Sequence, residues 1–101
     1  MKIGNTIKKL RKSKGMNQSE FAEKCDITQA YLSQIENNKR EISITCLKNI
    51  SDFLEIPASV ILFLSIDKEE LNLGDSEYLE DIHTHAKELF SYVLNNKKGT
   101  K

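Results

Sequence analysis

Apolar residues recur along the chain in short blocks at helical spacing. The first block sets Ile3, Ile7 and Leu10 on one stripe, with Lys8, Lys9, Arg11, Lys12 and Lys14 between and after them. Residues three and four apart share a helix face, so the pattern predicts an amphipathic helix with a wide basic side. Gly15 predicts its end, because helices commonly close through a left-handed residue that glycine adopts without strain. Asn17 and Glu20 have capping-box spacing and open a second helix from Gln18 to Lys24 or Cys25, with Phe21, Ala22 and Cys25 inward. Asp26 and Ile27 then make a tight turn. Thr28 caps a third helix, anchored by Leu32 and Ile35 and stopped at Asn37 and Asn38. Ser43 caps a fourth, with Ile44, Leu47, Ile50, Phe53 and Leu54 at helical spacing. Pro57 suits a first helical turn, where a missing amide is no loss, so a fifth helix runs from Pro57 to about Leu64. No stretch alternates as a strand would. The prediction is an all-α fold of five short helices packed as an orthogonal bundle.

The pattern changes after residue 66. Asp67 to Gly74 is acidic and polar and reads as a linker. A sixth helix is expected from Asp75 or Ser76 to Leu94, with Leu79, Ile82, Ala86, Leu89 and Val93 spaced 3, 4, 3, 4 and Phe90 and Leu94 widening the stripe. Asn95 to Lys101 reads as a frayed tail. The expected organisation is a domain over 1–66, a linker over 67–74 and a C-terminal helix over 75–96. A stripe of this spacing suits a short coiled-coil seam, so Leu79, Ile82, Ala86, Leu89, Phe90 and Val93 are candidate dimerisation residues. The alternative is a helix folded back on its own domain.

Composition narrows the classes. Of 101 residues, 39% are hydrophobic and 30% charged, enough apolar matter for one modest core and too much for a disordered polyelectrolyte. The longest apolar run, Val60 to Leu64, falls far short of the roughly 20 residues that span a bilayer. A cytoplasmic location without membrane contact is the expectation. The net charge is zero, yet residues 1–66 carry ten Lys/Arg against seven Asp/Glu and residues 67–101 five against eight, so +3 is set against −3. Nucleic-acid binding requires a basic face rather than a basic total. Cys25 and Cys46 fit no metal-binding spacing, and His83 and His85, two apart, point to different faces of a helix. Buried free thiols, no metal and no cofactor are expected. Without a Ser/His/Asp or Cys/His set, a phosphate-cradling glycine loop or a carboxylate pair in an evident pocket, no enzyme is expected.

The chemistry lies between Gln18 and Asn37. In a helix-turn-helix two short helices cross steeply, which demands a small residue where they touch, a turn residue at ease with positive φ, and aliphatics that lock the second helix while its other side stays polar. Counting from Gln18, Ala22 is fifth, Asp26 ninth, Leu32 fifteenth and Ile35 eighteenth, and each fits. The segment MNQSEFAEKCDITQAYLSQIENNKR resembles the core of the XRE family, the Cro and repressor type (lambda-repressor-like) of phage and bacterial regulators, and the resemblance covers about residues 3–65. Asp26 and Asn38 stand where glycine is usual, and both tolerate left-handed geometry. Ile42 stands where many members have proline.

The resemblance implies a transcriptional regulator whose third helix enters the major groove of operator DNA. Thr28, Gln29, Ala30, Ser33 and Gln34 would then face base edges. Gln29 is the foremost reader, since a glutamine amide can meet N7 and N6 of adenine together. Asn17, Gln18, Tyr31, Asn37, Lys39 and Arg40 match backbone-contact positions, with Tyr31 also suited to a thymine methyl. Arg11 and Glu36 match a structural pair joining the first helix to the end of the third. One such helix reads too few base pairs to be selective, so a homodimeric repressor on a pseudopalindromic operator is expected. The competing expectation is an antitoxin-like module whose acidic C-terminal part binds a partner protein while the N-terminal part autoregulates on DNA.

Overall fold

The computed structural model describes residues 1–67 and 83–89. The chain divides into two compact units, Met1–Ser65 and Ile66–Lys101. The first is built from α1 (Ile3–Ser13), α2 (Gln18–Lys24), α3 (Gln29–Glu36), α4 (Ile44–Leu54) and α5 (Ala58–Leu64). The protein is all-α, and no strand occurs among the described residues. In the second unit, residues 83–89 are helical, with Ala86 half-buried and Leu89 exposed. Of the other candidate dimerisation residues, Leu79, Ile82, Phe90 and Val93 lie outside the described residues.

Three of the five helices open on a side-chain cap, and the first four close on a left-handed residue. Asn17 accepts from the Glu20 amide at 2.8 Å and Glu20 returns the bond to the Asn17 amide at 3.0 Å, the reciprocal box that its spacing predicts. Thr28 caps α3 through the Tyr31 amide and Ser43 caps α4 through the Cys46 amide. Pro57 sits one residue before α5, at its N-cap, rather than inside the first turn. The first four helices close alike. Gly15, Asp26, Asn38 and Glu55 all take positive φ, near 60–70°. The amide after each returns five residues, to the carbonyls of Arg11, Ala22, Gln34 and Ser51. These are Schellman closures, which satisfy carbonyls that a helix end would otherwise leave bare.

Ile7, Phe21, Leu32, Ile35, Ile50 and Ile61 are wholly or almost wholly buried and form the centre of the first unit. α1 packs on α3 and α5, α2 on α3, and α4 on α5. Phe21 meets Phe53 edge to face, their ring centres 5.7 Å apart. The α1–α3 crossing is close because Gly4 has no side chain: a Cβ there would collide with the Ile35 carbonyl oxygen. Ser65 Oγ lies 2.7 Å from the Ile61 carbonyl and 2.9 Å from Thr6 Oγ1. With one proton to give, it donates to the carbonyl and accepts from Thr6, tying the end of α5 to α1.

The apolar stripe of α4 begins later than its spacing suggests. Cys46, Ile50 and Leu54 are its buried residues, whereas Ile44 is 86% exposed. At 3.6 residues per turn Ile44 lies about 120° from the middle of that buried row, on the side facing water.

Candidate nucleic-acid interface

The site starts from a buried ion pair. Arg11, on the inner side of α1, extends to Glu36 in the last turn of α3. Nε lies 2.7 Å from Oε2 and Nη2 3.0 Å from Oε1, with the Glu36 side chain 1% exposed. Nη1 donates to the Met16 carbonyl at 2.8 Å, so the guanidinium also holds the loop that enters α2. The fork of Arg matches both carboxylate oxygens at once, a geometry that Lys could not reproduce. The hydrogen bond to Glu36 raises the Arg11 pKa, although burial acts against it. Arg11 therefore leaves the basic face on which its spacing had placed it and joins α1 to the last turn of α3.

From this anchor a chain of polar contacts runs out to the surface. Glu36 Oε1 accepts from Gln18 Nε2 at 3.0 Å. Gln18 Oε1 accepts from Gln29 Nε2 at 3.4 Å, and Ser19 Oγ reaches Gln29 Oε1, also at 3.4 Å. Because an ionised carboxylate only accepts, Gln18 must turn its amide nitrogen inward and its oxygen toward Gln29. The orientation of an exposed amide on α3 is thereby set by a buried charge on the same helix, 7 residues further on.

Thr28, Gln29, Ala30 and Gln34 are exposed and Ser33 is half-buried, while Leu32, Ile35 and Glu36 are buried. α3 thus carries an apolar stripe against α1 and α2 and a polar surface opposite it. Gln34 has its own support: Arg40 Nη1 lies 3.4 Å from Gln34 Oε1, and the Arg40 guanidinium stacks 5.1 Å over the Tyr31 ring. The Tyr31 hydroxyl accepts from the Ser43 amide at 3.1 Å, so this half-buried residue links α3 to the start of α4. Asn17, Asn37, Lys39 and Arg40 are exposed and Gln18 is half-buried.

Three contributors were not evident in the sequence. Ser19 carries no signal beyond its place in a capping segment. Lys2 lines, with Lys39, Arg40 and Glu41, a cleft of about 510 Å³ between the start of α1 and the loop after α3. Asn5 Oδ1 accepts from Asn38 Nδ2 at 2.9 Å and pins the residue that ends α3. Proximity of residues 33 apart leaves no trace in periodicity.

Cys25 and Cys46 are free and buried. Burial pushes the Cys25 thiol up to about 12, with the neighbouring Cys46 adding to the shift. Burial likewise raises Cys46, against a hydrogen bond with Tyr31. Among the described residues no group of three His, Cys, Asp or Glu could hold a metal ion, and no helix is long and apolar enough to cross a membrane.

Comparison with known proteins agrees with this geometry. A family described as Helix-turn-helix matches residues 7–61, a span that contains α2, α3 and all of α4. The control protein C.MunI of a Mycoplasma species is 44% identical over 70 residues, covering 68% of this chain and 93% of that protein. The HTH-type transcriptional regulator SinR of Bacillus subtilis is 38% identical over 77 residues, covering 75% of this chain and 69% of its own. A solved structure of a SinR protein/SinI protein complex matches with a TM-score of 0.58 and 32% identity, over 95% of this chain and 94% of that one. The chain belongs to the XRE-type helix-turn-helix family and is a DNA-binding transcriptional regulator, not an enzyme.

Proposed function

We propose that the protein is a homodimeric repressor that reads a pseudopalindromic operator in double-stranded DNA through α3, in the cytoplasm. The observation that carries this reading is the polar row Thr28, Gln29, Ala30, Ser33 and Gln34, in which Gln29 is held by contacts running back to the Arg11–Glu36 pair. A reader held before it meets DNA loses less freedom on binding and presents one hydrogen-bonding edge. Gln29 and Gln34 address base edges, while Thr28, Ala30 and Ser33 complete the surface. Asn17, Gln18, Asn37, Lys39 and Arg40 approach the sugar-phosphate backbone. Tyr31 serves it through the face that it offers to Arg40.

Residues 1–66 form the DNA-binding domain, 67–74 the linker, and 75–96 the helix through which two copies meet. The Leu79, Ile82, Ala86, Leu89, Phe90 and Val93 stripe is the seam. Selection of bound sequences from random DNA tests the reading as a whole. It should return an inverted repeat with half-site centres about 34 Å apart, one helical turn. A single, unrepeated motif, bound by one copy, would contradict it.

A second reading is favoured by the matched solved structure, a complex of a SinR protein with a SinI protein. Here residues 67–101, with a net charge of −3, would serve a protein partner and the N-terminal domain would autoregulate. Affinity purification of the tagged protein from its host separates the two. A stoichiometric second polypeptide supports the partner reading, and a homodimer alone supports the repressor.

A further inference from the structure

We infer that Ser19 is a positioning residue for base reading, holding the Gln29 amide in the setting that prefers adenine to guanine. The inference rests on the proposed role of Gln29 as a reader. Ser19 is exposed at the second position of α2, outside both the core and the cap, which Asn17 and Glu20 complete between themselves. It nevertheless aims its hydroxyl at Gln29 Oε1, 3.4 Å away. The sense of this bond follows from the chain behind it. The Glu36 carboxylate can only accept, so Gln18 gives it an N–H and offers an oxygen to Gln29 Nε2. Gln29 must then present its oxygen to Ser19, which supplies the proton.

A primary amide has two N–H bonds and two lone pairs on oxygen. Gln29 commits one N–H to Gln18 and one lone pair to Ser19, and keeps one of each for DNA. Adenine offers N7 as acceptor and the N6 amino group as donor in the major groove, which match that remainder. Guanine offers two acceptors, N7 and O6, and needs two N–H bonds. To satisfy guanine, Gln29 must break from Gln18 or leave O6 unmet. Both contacts on Gln29 are long, and a 3.4 Å hydrogen bond is weak by itself. With Gln18 alone the amide is held at one end and free to swing about it; the Ser19 hydroxyl fixes the other end.

The test uses the full-length protein on the operator selected from random DNA, with all four base pairs placed in turn at the position that Gln29→Ala flattens, and Kd measured at two salt concentrations. Ser19→Ala should lower the adenine-over-guanine preference there by about two- to threefold, the low end of what one hydrogen bond is worth. Thermal midpoint and salt dependence should be unchanged, and Ser19→Thr, which keeps the hydroxyl, should restore the preference. In a Gln29→Ala background Ser19→Ala should add nothing. An unaltered preference, with Gln29→Ala still flattening that position, would overturn the role of Ser19 and leave the reader in place. A uniform loss on every sequence with a shallower salt slope would instead make Ser19 a phosphate contact. If Gln29→Ala flattens no position, the reader assignment falls and this inference falls with it.

Discussion

Glu36 shows how one residue serves stability and reading together. Its carboxylate is buried, takes two bonds from Arg11 and still has a lone pair for Gln18. Removing one partner leaves an uncompensated buried charge, so Arg11→Met should cost about 3–5 kcal/mol in urea unfolding, whereas Arg11→Met with Glu36→Leu should cost far less than the two singles summed. The double variant should fold yet discriminate bases poorly, because Gln18 has lost the charge that turns it. The cysteines give a second residue-scale outcome. Cys25 is raised in the folded state from an ordinary value near 9 to about 12, so the unfolded chain releases that proton first as pH rises. The folded state then binds more protons than the unfolded one, and stability should fall as pH rises from about 9 toward 12. Chemical denaturation across that window checks this. At neutral pH both thiols should resist alkylation until urea unfolds the chain, since the thiolate is the reactive form.

At the scale of helices, the closures explain why the boundaries could be read so well. Asn17, Thr28 and Ser43 are capping residues by type and cap in fact, and Gly15, Asp26 and Asn38 stand where positive φ is needed. Capping and turn chemistry act within a few residues of sequence, so they are legible there. Glu55 was not legible, because nothing in a glutamate marks left-handed geometry. Ile44 was misleading for a related reason: each step of three residues drifts about 60° round the helix, so the first member of the predicted stripe falls off the face that the core covers. Gly4 is the sharpest omission. In an exposed helix Gly→Ala gains about 1 kcal/mol. Here the added carbon meets the Ile35 carbonyl, so Gly4→Ala should destabilise the protein, with a lower thermal midpoint and weaker DNA binding as α1 is pushed from α3. The Ser19, Lys2 and Asn5 contacts share this origin, since each is made by packing between elements.

For the molecule as a whole, the opposition of a +3 N-terminal part and a −3 C-terminal part reconciles a neutral chain with a polyanionic ligand. The positive part carries the helix-turn-helix, and Lys2, Lys39, Arg40 and Glu41 line one cleft at its edge. If the C-terminal stripe is the dimer seam, deleting residues 75–101 should leave a folded monomer in sedimentation, with markedly weaker operator binding because avidity is lost. A truncated protein that still sediments as a dimer would move the interface to the first unit. The claim on which the account most depends is that α3 reads bases through an amide held from behind. Its most direct test is the binding profile of Gln29→Ala on the selected operator and on all single-base changes of it. A loss of roughly 1–3 kcal/mol on the operator is predicted, with the preference flattened at one base pair per half-site and affinity for unrelated DNA unchanged. A profile identical to that of the unaltered protein would contradict it.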